Sequence, residues 1–197
     1  RPFSAAYIMS GAKSMGQDKK HENYLTLVDK VIRTKFHLTL KNADSYYGVY
    51  QILKALPLFG NFIAMQMLTD LNYSDLIDFS ENDMIILGPG AWRGMAKLTS
   101  DTGYTYEEAQ GIIYGIVENQ YDYFKRFDIE FNDLFGRPLS AMDVQNLLCE
   151  FDKYTRVSHP QYNQGRSRIK QKYRYNDKKP IRYFYPPNWG INELVKS

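Results

Sequence analysis

This sequence predicts an all-α body, and three observations carry that expectation. Two apolar-periodic stretches, one ending at Ala55 and the next starting at Phe62, flank the tight-turn segment Leu56-Pro57-Leu58-Phe59-Gly60-Asn61. Two capping boxes, Thr105-Tyr106-Glu107-Glu108 and Ser140-Ala141-Met142-Asp143, each open an amphipathic run. The body contains no alternating strand pattern, internal repeat or low-complexity segment. With 197 residues, 44% of them hydrophobic, the chain is long enough to bury a sizeable core and is not disordered as a whole.

Arg1 to Gly16 is rich in small residues and has no clear period. Asn23 to Val31 predicts a helix with Leu25, Leu27, Val28 and Val31 available for burial. Asp44 or Ser45 caps the helix that runs to Ala55, whose apolar residues are Tyr47, Tyr50, Ile52 and Leu53. Pro57 ends it, and Phe62 to Leu71 follows with Ile63, Met67 and Leu71 spaced as a stripe. The Thr105 box opens a long helix carrying Ala109, Ile112, Ile113, Ile116, Val117, Tyr121 and Phe124 on one side. The Ser140 box opens a helix that buries Val144, Leu147, Leu148 and Phe151.

The net charge of +3 hides an asymmetry. Between Lys153 and Arg182 stand ten Lys or Arg against one acid, a segment charge of +9 that leaves −6 for the remainder. Such a separation points to a polyanion partner held by the tail. Arg166, Arg168, Lys170, Lys172 and Arg174 recur at every second residue, so an extended strand places all five on one face as a phosphate track. A solvated basic arm is the alternative. Residues 1–157 therefore read as a helical domain and 158–197 as a basic, Tyr-rich segment, irregular or extended and closed by Pro180, Pro186 and Pro187. One cysteine and three scattered histidines supply no disulfide framework and no metal-ligand spacing, so neither metal nor cofactor is expected. No apolar run approaches a membrane span and no signal-peptide pattern is visible; with the lone Cys149, a cytoplasmic setting is expected, and the chain is expected to be a monomer. The chain opens at Arg1 rather than Met, as a processed or trimmed chain does.

The turn between the two central helices has the form of a helix-hairpin-helix, whose exposed main-chain N–H groups grip a nucleic-acid phosphate without reading sequence. Pro57, Phe59, Gly60 and Asn61 are the candidate DNA contacts there. The segment Leu87-Gly88-Pro89-Gly90-Ala91-Trp92-Arg93-Gly94 is a second bend. Gly88 and Gly90 allow close approach of a ligand, and Ala91 begins a helix whose N–H groups face an anion or a flipped nucleotide. An ordinary tight turn is the alternative; Gly88, Pro89, Gly90 and Arg93 are the candidate contacts, with a structural ion pair the other role open to Arg93. Gly11-Ala-Lys-Ser-Met-Gly16 departs from a phosphate-binding loop, because Gln17-Asp18 follows rather than Lys-Ser/Thr.

From Tyr46 to Leu98 the chain resembles the helix-hairpin-helix DNA glycosylases, whose hairpin reads roughly Leu-Pro-Gly-Val-Gly-x-Lys-x-Ala. Here Leu58 occupies the first hairpin glycine, Phe62 the Schiff-base lysine and Gly88 the catalytic aspartate. Four blocks between residues 56 and 154 resemble a narrower family: Leu56-Pro57-x-Phe59-Gly60-x-Phe62-x-Ala64, Thr69-Asp70-Leu71-Asn72-Tyr73, Gly88 to Gly94, and Leu148-Cys149-Glu150-Phe151-Asp152-Lys153-Tyr154. This is the glycosylase-derived helical family of phage DNA base hypermodification. It includes alpha-glutamyl/putrescinyl thymine pyrophosphorylases, the helical domain of 5-hydroxymethyluracil DNA kinases, and anti-phage glycosylases of modified bases.

Base excision passes through an oxocarbenium-like state and needs a carboxylate near the sugar. Glu150 and Asp70 are the candidates, with Lys153 steering the DNA. A solvated Glu150–Lys153 pair and a capping role for Asp70 and Asn72 are the alternatives. Tyr46, Tyr47, Asn72, Tyr73 and Trp92 are the candidate base pocket. The resemblance then implies a base-flipping enzyme on a modified pyrimidine, cleaving its N-glycosidic bond without Schiff-base chemistry. Two alternatives stand beside it: a non-catalytic DNA-binding module partnering a 5-hydroxymethyluracil DNA kinase, and a thymine pyrophosphorylase-type enzyme.

Overall fold

The computed structural model describes residues 13–99, 103–162 and 182–195. The alternating basic run Arg166, Arg168, Lys170, Lys172 and Arg174 lies outside them. Among the described residues the regular structure is all-α, with eight α-helices, three 3₁₀ turns and one isolated bridge between Leu134 and Arg137. No helix among them is long and apolar enough to cross a membrane. They fall into two compact units, one from residues 13–79 and 182–192, the other from residues 80–162 and 193–195.

The first unit contains α1 (Lys20–Arg33), α2 (Phe36–Lys41), α3 (Tyr46–Lys54) and α4 (Asn61–Asn72). Asn23 is fully buried on α1 because its amide satisfies the incoming chain: Nδ2 donates to the Gln17 and Lys19 carbonyls at 2.7 and 2.9 Å, and Oδ1 accepts from the Met15 and Gln17 N–H groups at 3.1 and 3.3 Å. Of the apolar residues expected inside, Leu27 is buried, whereas Leu25 and Val28 are exposed. Ser45, not Asp44, caps α3 by accepting the Gly48 N–H at 3.1 Å. The helix buries Tyr46, Val49, Tyr50 and Leu53.

Along α4 the expected stripe is displaced: Ala64, Met65, Leu68, Thr69 and Asn72 are buried, and Met67 is exposed. Seven apolar residues surround most of this helix, so periodicity alone selects no face, and packing against α3 decides. The intervening turn closes with the Phe59 N–H on the Leu56 carbonyl at 3.2 Å. Pro57 sits at i+1 and Leu58 at i+2, where a φ of +71° matches the left-handed requirement of a type II turn. A non-glycine residue there stores strain. Leu58→Gly is accordingly expected to be tolerated, while the β-branched Leu58→Val costs about 1–2 kcal/mol more, measurable by urea denaturation.

The second unit contains α5 (Pro89–Thr99), α6 (Tyr106–Glu118), α7 (Gln120–Arg126) and α8 (Ala141–Ser158). Both expected capping boxes are present, at Thr105 with Glu108 and at Ser140 with Asp143. The long helix expected to reach Phe124 breaks at Asn119. The buried Gln120 amide donates to the Val117 and Leu139 carbonyls and accepts the Leu139 N–H, fastening the chain that enters α8. Beside it, Arg137 pairs with Glu81 at 3.1 Å and Asp143 at 2.8 Å, and the Ser140 hydroxyl donates to Glu81 at 2.9 Å. The start of α8 is thus anchored to the 81–82 loop, where Asn82 Oδ1 accepts the Ala141 N–H. Leu147, expected in the core, is exposed; the buried row on α8 is Ala141, Val144, Gln145, Leu148, Asp152 and Thr155.

Candidate nucleic-acid interface

In the first unit the hairpin residues sit at the open end of α4. Gly60 is its N-cap, with φ −96° and no side-chain cap, and a Cβ added there meets nothing within 4 Å. Its carbonyl accepts the Ala64 N–H at 2.9 Å, while Asn61 and Phe62 lie exposed. An uncapped helix start with its surroundings clear is the geometry for a main-chain grip on an oxyanion.

At the other end of α4, Asn72 is fully buried. It donates Nδ2 to the Phe79 carbonyl and accepts the Phe79 N–H, each at 2.9 Å, so it holds the 73–79 loop. Asp70 is exposed on the last turn. Tyr46 is buried, its ring 6.2 Å from Phe79; Tyr47 is exposed, 6.2 Å from Tyr50; Tyr73 meets Trp189 edge-on at 5.5 Å.

In the second unit, Pro89 takes the first position of α5, where its missing N–H is harmless. The chain leading into it is clamped. Tyr106 Oη and Gln110 Nε2 donate to the Ile85 carbonyl at 2.9 and 2.8 Å, and Gln145 Oε1 accepts the Gly88 N–H at 3.3 Å. The glycines admit a neighbouring helix. A Cβ on Gly90 would collide with Cys149, and one on Gly94 would collide with the Leu148 carbonyl, 2.8 Å from its carbon and 3.2 Å from the Leu148 Cα. What approaches the main chain this closely is α8, where the spacing predicted a ligand. Trp92 is half-buried, 6.1 Å from the Tyr106 ring.

Arg93 faces α8 and donates Nε to Asp152 at 3.1 Å, the structural ion pair that stood as its alternative role. Asp152, 1% exposed, also receives Lys97 at 3.0 Å and Arg156 at 3.5 Å; Lys97 donates as well to the Asp152 carbonyl and to Thr155 Oγ1. Burial pushes the Asp152 carboxyl up. The hydrogen bonds and charges of Lys97 and Arg93 outweigh it and hold the group below the ordinary carboxylate range. This cluster was missed, although Arg93 with Lys97 and Asp152 with Arg156 are each spaced i,i+4 in the sequence.

Glu150 stands on the outer side of α8, 65% exposed and paired with Lys153. Both line a shallow cleft of about 450 Å³ with Tyr154, Val157 and Ser158. The structure therefore brings Glu150 together with Lys153, and Arg93 with the residues of α8. The second pair of predicted neighbours, Asp70 and Asn72, shares the end of α4, but with Asp70 outside and Asn72 inside.

No curated protein and no solved structure matches the chain. A family model described as the helical domain of 5-hmdU DNA kinase does match, over residues 2–164. The chain belongs to that family, the 5-hmdU DNA kinase helical domains.

Proposed function

We propose that this chain is a DNA-binding helical module that holds modified phage DNA while a partner kinase acts on the 5-hydroxymethyl group of the pyrimidine. The helical body, residues 1–157, grips the phosphate backbone, and the basic segment 158–197 adds long-range attraction. The observation that carries this reading is the start of α4: its N-cap Gly60 supplies no side-chain cap and has open space where a Cβ would stand, directly after the strained Leu58 turn. The outward edge of Arg93 offers a further phosphate contact in the second unit.

Gly60→Asp tests it with two readouts of opposite sign. The backbone at residue 60 suits any side chain, and aspartate is a good N-cap, so stability is expected to rise by a few tenths of a kcal/mol. The same carboxylate occupies the amides and repels phosphate, so affinity for duplex DNA falls about tenfold or more by fluorescence anisotropy. Raised stability with unchanged DNA affinity would refute the phosphate grip.

Monofunctional base excision is the second reading. The exposed side of α8, where Glu150 stands beside Lys153 and Tyr154 along a shallow hollow, supports it. The two separate on Glu150→Gln, assayed with DNA containing 5-hydroxymethyluracil. A module leaves kinase-dependent phosphorylation intact, whereas a glycosylase loses base release, followed by mass spectrometry, and keeps DNA binding.

A further inference from the structure

The described end of the chain carries a row of aromatic rings that the hairpin does not use. Tyr183 and Tyr185, alternate residues of a non-helical segment, share one face. Their rings are within 11° of parallel with centroids 6.4 Å apart, and Tyr185 continues to Trp189 at 24° and 6.1 Å. Tyr73 closes the inner end, edge-on to Trp189. Tyr185 and Trp189 are half-buried, but Tyr183 is 60% exposed at the outer end. We propose that Tyr183, Tyr185 and Trp189 form a stacking platform for an unpaired nucleobase, a proposal that rests on the DNA-binding reading above.

Three features of the molecule support it. First, the platform is held rigidly: Asn192 Oδ1 accepts the Tyr185 N–H and its Nδ2 donates to the Tyr185 carbonyl, each at 2.7 Å. Asn188 Nδ2 donates to the Asn72 carbonyl at 2.6 Å, while Pro186 and Pro187 stiffen the chain between. A ring fixed in advance loses little freedom when a base lies on it. Second, exposed Arg182 adjoins Tyr183 and ends the +9 segment, so the electrostatic attraction of this part of the chain is for a polyanion. Third, the near-parallel rings offer flat faces, with their hydroxyl and indole N–H groups at the ring edges. Duplex bases hide their faces in the stack and show only edges in the grooves, so a parallel-ring surface suits a base that has left the helix.

The test uses the full chain and fluorescence anisotropy with a thymidine oligonucleotide and a duplex of equal length. Tyr183→Ala is expected to weaken oligonucleotide binding about tenfold while duplex affinity stays within about twofold. Tyr183→Phe keeps the face and is expected to bind like the parent chain. Raising salt weakens both parent and alanine variant, but their ratio on the oligonucleotide holds, because stacking releases no counterions. Equal losses on both DNAs, no loss on either, or a phenylalanine variant as weak as alanine each overturn the platform. An apolar protein surface as its true occupant gives the second of these results. The two proposals fail separately: a parent chain that binds DNA while Tyr183→Ala changes nothing sinks only this one, whereas a parent chain that binds no DNA sinks both.

Discussion

Gly94→Ala is expected to destabilise the second unit by more than about 3 kcal/mol, because its methyl group would enter the Leu148 main chain. No rotamer change relieves that collision, since the obstacle is a carbonyl in the middle of α8. The helices must separate, opening voids around Ala91, Met95 and Leu148, which are buried. At the scale of this chain such a loss lowers the melting temperature by roughly 6–12 °C. Gly90→Ala differs in kind, because it meets the side chain of Cys149. It is expected to cost about 1–3 kcal/mol, most of which Cys149→Ala restores. Thermal melts of the two single variants and of each combined with Cys149→Ala check this. Rescue of Gly94→Ala by the same second substitution would show the helix contact to be placed wrongly.

Asp152→Asn is expected to cost about 3–5 kcal/mol at neutral pH, for an electrostatic reason. The substitution leaves Lys97, whose side chain is 8% exposed, with no opposite charge. Asp152→Asn combined with Lys97→Met is expected to be more stable than Asp152→Asn alone, since the most buried of the three cations around that carboxyl is then gone. The pH dependence has a definite sign. The carboxyl is lowered in the folded chain, so its contribution is fully present above the unfolded value near 3.9 and is lost as pH falls through the folded one. Urea denaturation should therefore show the parent chain losing more stability than Asp152→Asn between about pH 5 and pH 2. Parallel losses would remove Asp152 from the account of acid sensitivity.

Local signals in the sequence located much of this fold. The capping boxes at Thr105 and Ser140 involve only neighbouring residues, so their chemistry is complete in four positions and both form as spelled. Pro57 likewise marks the end of α3 and the start of a turn. Burial was harder to read wherever a long-range partner chooses the face. On α4 apolar residues lie almost all round, and on α1 a buried Asn23 displaces the expected Leu25 and Val28. The Asp152 cluster escaped for the same reason, because its members lie 55 and 59 residues apart on α5 and α8 and become partners only once those helices meet. Gly90 is a different case, and Gly94, to which no role was given, joins it in facing α8. A glycine signals close approach, but the sequence does not say of what, and at Gly90 one neighbour is the Cys149 side chain of α8.

The join between Asn188 and the Asn72 carbonyl spans 116 residues. Synthesis from the amino end therefore delivers α4 well before the indole that lies against Tyr73, an interval on the order of ten seconds at usual elongation speeds. Throughout it the Asn72 carbonyl and the Tyr73 ring lack the partners that Asn188 and Trp189 supply in the folded chain. Asn188 and Trp189 act as a late-made cover on the end of α4, and a ribosome that stalls short of them leaves that cover off.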